Sequence, residues 1–215
     1  MFNLKKIEMK AHTKETQAGM TLQSSTDALM EGNRRFLSKN PIKRDLIEQV
    51  METQKGQYPF ATVLSCIDSR IPTEIIFDQG VGDIFNARIA GNFINEDILG
   101  SLEFACKLAG SKVIMVLGHT SCGAVKGACD NAKLGNLTQM LDKIKPAVDL
   151  IKTEPGEERS SKNLDFVNKV SAKNVELAIN DIKEKSPVLK EMYDNGEIDI
   201  VGAMYHVSSG KVELM

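Results

Sequence analysis

The sequence predicts an α/β fold: a mainly parallel four-stranded sheet with an added antiparallel edge strand, helices on both faces and an N-terminal helical arm. Three observations predict it. Short, nearly continuous apolar runs alternate with longer helix-period segments, the pattern of strands covered on both faces and linked by helices. The chain has 215 residues, 42% of them hydrophobic, enough for one sizeable core. Near the C-terminus, two strand-like runs are separated only by Ser208-Ser209-Gly210, which reads as a hairpin.

Residues 1–25 form the arm and 26–215 a single domain. Thr26 is a candidate cap for a helix with Leu29, Met30, Phe36 and Leu37 roughly on one face. Pro41 opens a second helix through about Lys55, with Ile42, Leu46, Ile47, Val50 and Met51 expected inward. Phe60–Ser65 is the first strand and Ile84–Ala90 the second. Asn95 caps a helix whose first turn carries Glu96 and Asp97, suiting the helix dipole, and which ends near Gly110. Lys112–Leu117 is the third strand. Leu137–Ile151 reads as one helix kinked near Pro146, and Lys152–Asn163 as a surface loop. Residues 164–185 form a long amphipathic helix, and Ser186-Pro187 starts another as N-cap and first residue. Ile198–Val207 and Lys211–Leu214 complete the sheet.

Bulk properties exclude some roles. Lys and Arg number 27 against 29 Asp and Glu, so no basic excess favours nucleic acid. No apolar run reaches the length of a membrane span. The N-terminus shows no apolar signal region, so a cytoplasmic location is expected and the four cysteines read as reduced thiols or metal ligands.

Two runs carry the chemistry. Ser65-Cys66-Ile67-Asp68-Ser69-Arg70 follows the first strand, and Gly118-His119-Thr120-Ser121-Cys122-Gly123 follows the third. Sites in open parallel sheets form at the carboxyl ends of strands, so neighbouring strands would bring these runs together. Cys66, His119, Cys122 and Asp68 make a complete four-ligand set for zinc. Asp68 either closes the site or stands beside it as a hydrogen-bond acceptor, which separates a structural zinc protein from an enzyme. Cys106 and Cys129 read as packing residues, and His12 and His206 as surface or satisfied histidines.

Cys66-x-Asp68-x-Arg70 followed by His119-x-x-Cys122 resembles the signature of the β-class carbonic anhydrases. The resemblance extends to Glu31–Phe36, Phe77–Gly80, Asn86–Asn92 and Ile200–Tyr205. It implies reversible hydration of CO2 to bicarbonate and a proton, with Zn2+ held by Cys66, His119 and Cys122. It implies an Asp68–Arg70 pair that aims zinc-bound hydroxide, and an obligate homodimer that often assembles further. Gln57 stands nine residues before Cys66, where one subtype has a substrate-binding Gln. Val63 stands where the bicarbonate-controlled subtype has Trp. The sequence therefore resembles the subtype with an open zinc site. No residue matches the proton-relay histidine of some relatives.

On this reading Gln57 and the Gly123 backbone N–H donate to the oxygens that gain charge, and Phe85, Ile89 and Phe104 are candidates for an apolar wall. Two alternatives use the same residues. One is hydrolysis of a CO2 analogue such as carbonyl sulfide or carbon disulfide. The other is a non-catalytic, zinc-closed structural or redox-sensing protein.

Overall fold

The computed structural model describes residues 9–215, so the first eight residues of the predicted arm lie outside the described residues. The strands are β1 (Ala61–Ser65), β2 (Ile84–Arg88), β3 (Val113–His119), β4 (Asp199–Tyr205) and β5 (Val212–Leu214). They form one sheet in the order β2-β1-β3-β4-β5. β1 pairs parallel with β2 and β3, β3 parallel with β4, and β5 runs antiparallel on β4. This is the predicted sheet.

In chain order the helices are α1 (Lys14–Ala18), α2 (Leu22–Leu37), α3 (Leu46–Thr53), α4 (Thr73–Ile76), α5 (Glu96–Glu103), α6 (Gly123–Cys129), α7 (Gly135–Asp142), α8 (Lys145–Leu150), α9 (Leu164–Lys185) and α10 (Pro187–Asp194). None of the described helices is long and apolar enough to cross a membrane.

Side chains alternate across a strand, so β3 feeds two cores. Val113, Met115 and Leu117 join Leu29, Phe77 and Ile144 on one side. Ile114 and Val116 join Leu102, Ile182 and Leu189 on the other. α9 serves both, giving Phe166 and Val170 to the first and Val175 and Ala178 to the second. The helix thus crosses the sheet just where β3 ends in His119.

Several elements depart from expectation. α2 starts at Leu22 because Thr21 and Ser24 form a capping box; Thr26 is buried inside the helix. α3 starts at Leu46 because Asp45 accepts from the N–H groups of Ile47 and Glu48; Pro41 opens no helix. Leu46, Ile47, Val50 and Met51 are not inward but exposed, with Ile47 at 71%. The buried residue of α3 is Gln49, which donates to Met9 O at 3.0 Å and accepts from Val81 N at 3.1 Å. α5 widens into a π-helical turn, Phe104–Leu108, before Gly110. The predicted 137–151 helix is two helices, and Pro146 sits in the first turn of α8, where its missing N–H has no consequence. α6 was not anticipated: a Gly-, Ala- and Cys-containing turn has no apolar stripe to announce it.

Candidate metal centre

Parallel pairing puts the ends of β1 and β3 side by side, with Ser65 opposite Leu117. Cys66 follows one strand, and His119 ends the other. Cys122 caps α6, so a single turn separates it from His119. The ligand atoms of Cys66, His119 and Cys122 lie within 4.8 Å of one another, and all three residues are buried. The predicted convergence of the two runs is therefore present.

The surroundings fix each group. His119 Nδ1 faces Thr120 O at 3.0 Å, and a carbonyl only accepts. Nδ1 therefore carries the proton, leaving the lone pair of Nε2 toward the thiols. That Nε2 is buried and makes no hydrogen bond in this chain. Cys66 Sγ accepts from Gly91 N–H at 3.3 Å. The two thiols are hydrogen-bonded to one another. Donation from Cys122 lowers the Cys66 pKa, and the Cys66 sulfur and burial push Cys122 up. A buried thiol pair with an unpartnered imidazole nitrogen is the donor set of a thiophilic dication, and zinc fits it.

Asp68 stands beside this set, its Oδ2 4.0 Å from His119 Nε2. Arg70 holds both carboxylate oxygens, Nε to Oδ1 at 2.9 Å and Nη2 to Oδ2 at 2.7 Å, and its backbone N–H adds a bond at 3.0 Å. The Arg70 side chain, then its backbone N–H, holds the Asp68 pKa down at about 2 against the opposing effect of burial.

A family model described as carbonic anhydrase matches residues 61–212, which include every residue of this centre. The chain belongs to the carbonic anhydrase family. It is 35% identical to a carbonic anhydrase of Mycolicibacterium smegmatis, over 87% of this chain and 90% of that one. It is 33% identical to carbonic anhydrase 2 of Mycobacterium tuberculosis, over 87% and 89%. The fold resembles the crystal structure of the β-carbonic anhydrase CafA of Aspergillus fumigatus, with a TM-score of 0.66, 27% identity, and coverage of 79% and 81%. The chain is thus an enzyme of the β class, a lyase.

Other predicted residues fall in different places. Gly123 opens α6, so its N–H has no intrahelical acceptor. Ile89 donates its N–H to Ser65 O, at the level of the ligands. Phe85 and Phe104 do not reach the centre; they pack edge-on at 6.1 Å along the outer edge of β2, lining a separate cleft with Thr62 and Gly100. Gln57 is exposed before β1, its Cβ 4.0 Å from where a Cβ at Gly82 would stand. β1 alone spans about 16 Å, so Gln57 lies at the opposite end of the sheet from its own chain's ligands.

Cys106 and Cys129 stay outside the centre, their thiols pushed up to about 12 and about 11, first by burial. His12 stacks near Phe60, and His206 meets Glu213 at 2.8 Å. Sequence reasoning missed the scaffold. Arg88 donates to Cys66 O at 3.0 Å and to Asp68 O at 2.8 Å, fixing the first ligand loop. Tyr205 pairs in register with His119 and is buried beside it.

Proposed function

We propose that the chain binds one Zn2+ through Cys66, His119 and Cys122 and catalyses the reversible hydration of CO2 to bicarbonate and a proton. The observation that carries this reading is the doubly held Asp68 next to three converging ligands. When bound, zinc supplies a nucleophilic oxygen near neutral pH.

Asp68 accepts a hydrogen bond from the O–H of the nucleophile and so aims it; with both oxygens on Arg70 it is restrained from closing the centre itself. The Gly91 N–H tempers the charge on Cys66 sulfur. The Gly123 N–H donates to the oxygen that becomes negative as bicarbonate forms. The same restraint on Asp68 argues against the zinc-closed structural or redox-sensing alternative.

Gln57 enters through a second copy. The chain works as a homodimer or a larger homo-oligomer, and its exposed apolar side chains include Ile47, Met51, Ile75 and Phe104. β2 is a free edge of the sheet. A two-fold axis beside that edge, perpendicular to its strands, would set the N-terminal end of one sheet against the C-terminal end of the other. The partner's Gln57 then meets the centre that its own chain cannot reach. A reducing cytoplasm suits a centre built on two thiolates.

The test is stopped-flow CO2 hydration with zinc content measured on the same sample, with carbonyl sulfide and carbon disulfide as comparison substrates. The wild type is expected to carry one zinc per chain and to hydrate CO2 best. Cys66→Ser is expected to lose both metal and activity; stoichiometric zinc in that variant overturns the ligand assignment.

A further inference from the structure

Both ligand loops rest on one helix. Asn168, Ser171, Asn174 and Val175 of α9 recur at the three-to-four-residue spacing of a single helix face. Asn168 Oδ1 accepts from Ser121 N–H at 2.9 Å. Asn174 Nδ2 donates to Gly91 O at 2.8 Å, in a buried contact. Between them the helix closes on Gly118, the residue before His119. A Cβ there would stand 2.5 Å from Val175 Cγ2 and 3.5 Å from Ser171 O.

Each amide acts on a different ligand. Gly91 is the residue whose N–H donates to Cys66 Sγ. Gly91 has φ +81° and Asn92 φ +40°, so the direction of that N–H depends on an unusual turn being held in place. Ser121 lies between His119 and Cys122 with φ +56°, a left-handed conformation that a side chain disfavours. Its N–H is turned to Asn168, and this turn sets how the imidazole and the second thiol face each other.

We propose that Asn168 and Asn174 are positioning residues of the metal centre, Asn174 through the Gly91 turn to Cys66 and Asn168 through Ser121 to the His119–Cys122 pair. The proposal rests on the zinc reading above and goes beyond it. The chemistry of the partners dictates which half of each amide matters. An N–H partner needs an acceptor at 168, whereas a carbonyl partner needs a donor at 174. Asp is isosteric with Asn and keeps only acceptors, so the same substitution has opposite consequences at the two positions.

The experiment is zinc affinity by competition with a chromophoric chelator, beside the thiolate-to-metal charge-transfer band of the cobalt-substituted chain. Asn168→Asp is expected to keep wild-type affinity, and Asn168→Leu to weaken it about tenfold or more. Asn174→Asp and the uncharged Asn174→Leu are both expected to weaken it by about as much, with the band shifted. Melting of the zinc-free variants separates unfolding from lost positioning. Should neither 174 variant fold, the 168 pair decides. Equal affinities for Asn168→Asp and Asn168→Leu, or unchanged affinity in a folded Asn174→Leu, overturn the proposal. A wild-type chain that takes up no zinc overturns the metal reading instead, and this proposal with it.

Discussion

In the proposed function Asp68 serves as an acceptor held still. Free carboxylates rotate, but this one is fixed by two guanidinium contacts and one backbone N–H. Asp68→Asn fills the same space, yet its NH2 accepts nothing and its oxygen accepts weakly. We expect Asp68→Asn to retain zinc and lose about a hundredfold in kcat, the scale of a misaligned reacting group; an undiminished kcat with full zinc would make the carboxylate structural. Arg70→Ala frees the same carboxylate. X-ray absorption on that variant should show the metal gaining an oxygen donor from Asp68 and losing solvent; an unchanged coordination sphere would show that Arg70 does not keep Asp68 off the metal. The convergence of the three candidate ligands and the Asp–Arg pair was legible because these residues fall in two short runs at strand ends. Arg88, Asn168 and Asn174 were not, because they act through backbone atoms 20 to 83 residues away. A side chain that binds a peptide group leaves no local motif.

Among the elements, strands were easier to read than the early helices, for a physical reason. A strand buried on both faces is mostly apolar, and β1 and β3 are buried at every position with only Thr62, Ser65 and His119 polar. An apolar stripe on a helix shows that a face seeks cover, not that the same chain provides it. α3 shows the difference, since its exposed apolar face looks away from a core that instead receives Gln49. Polar contacts hold this region. Asp78 accepts from Arg35 at 2.5 Å, from Arg44 at 2.8 Å and from Ile42 N–H at 3.1 Å, tying α2 and the segment before α3 to the end of α4. Burial pushes the Asp78 carboxyl up, but Arg35, the Ile42 N–H and Arg44 together bring it below its ordinary value of 3.8. A depressed carboxylate stabilises the fold above its unfolded pKa, and that stability is lost as pH falls through the lower folded value. Asp78→Asn leaves two arginines short of their charge partner and is expected to destabilise the chain by about 3–5 kcal/mol. Urea melts at neutral pH measure that loss. Melts below pH 4 should show the variant and wild type drawing together, and a constant gap down to pH 2 would exclude this ion cluster as the cause.

At the scale of the whole molecule, the proposed site draws on groups from both ends of the sheet. Its candidate ligands stand at the carboxyl ends of the strands, while Gln57 precedes β1 and Phe85 and Phe104 line the free β2 edge. No rearrangement within one chain carries Gln57 along a packed sheet, so the role proposed for it calls for a second copy. Complementation tests this directly. Gln57→Ala and Asp68→Asn are each expected to be poorly active alone, every site lacking one group. In a mixed dimer, the site on the Gln57→Ala chain has its own Asp68 and the partner's Gln57, and is whole. The other site lacks both. Random pairing of equal amounts makes half the dimers mixed, each with one whole site, so activity should recover to about a quarter of wild type. Co-expression of the two variants with different tags, followed by purification through both, isolates the mixed dimer and raises the expectation to about half. A mixed dimer no more active than its parents would show that Gln57 does not serve the partner's centre.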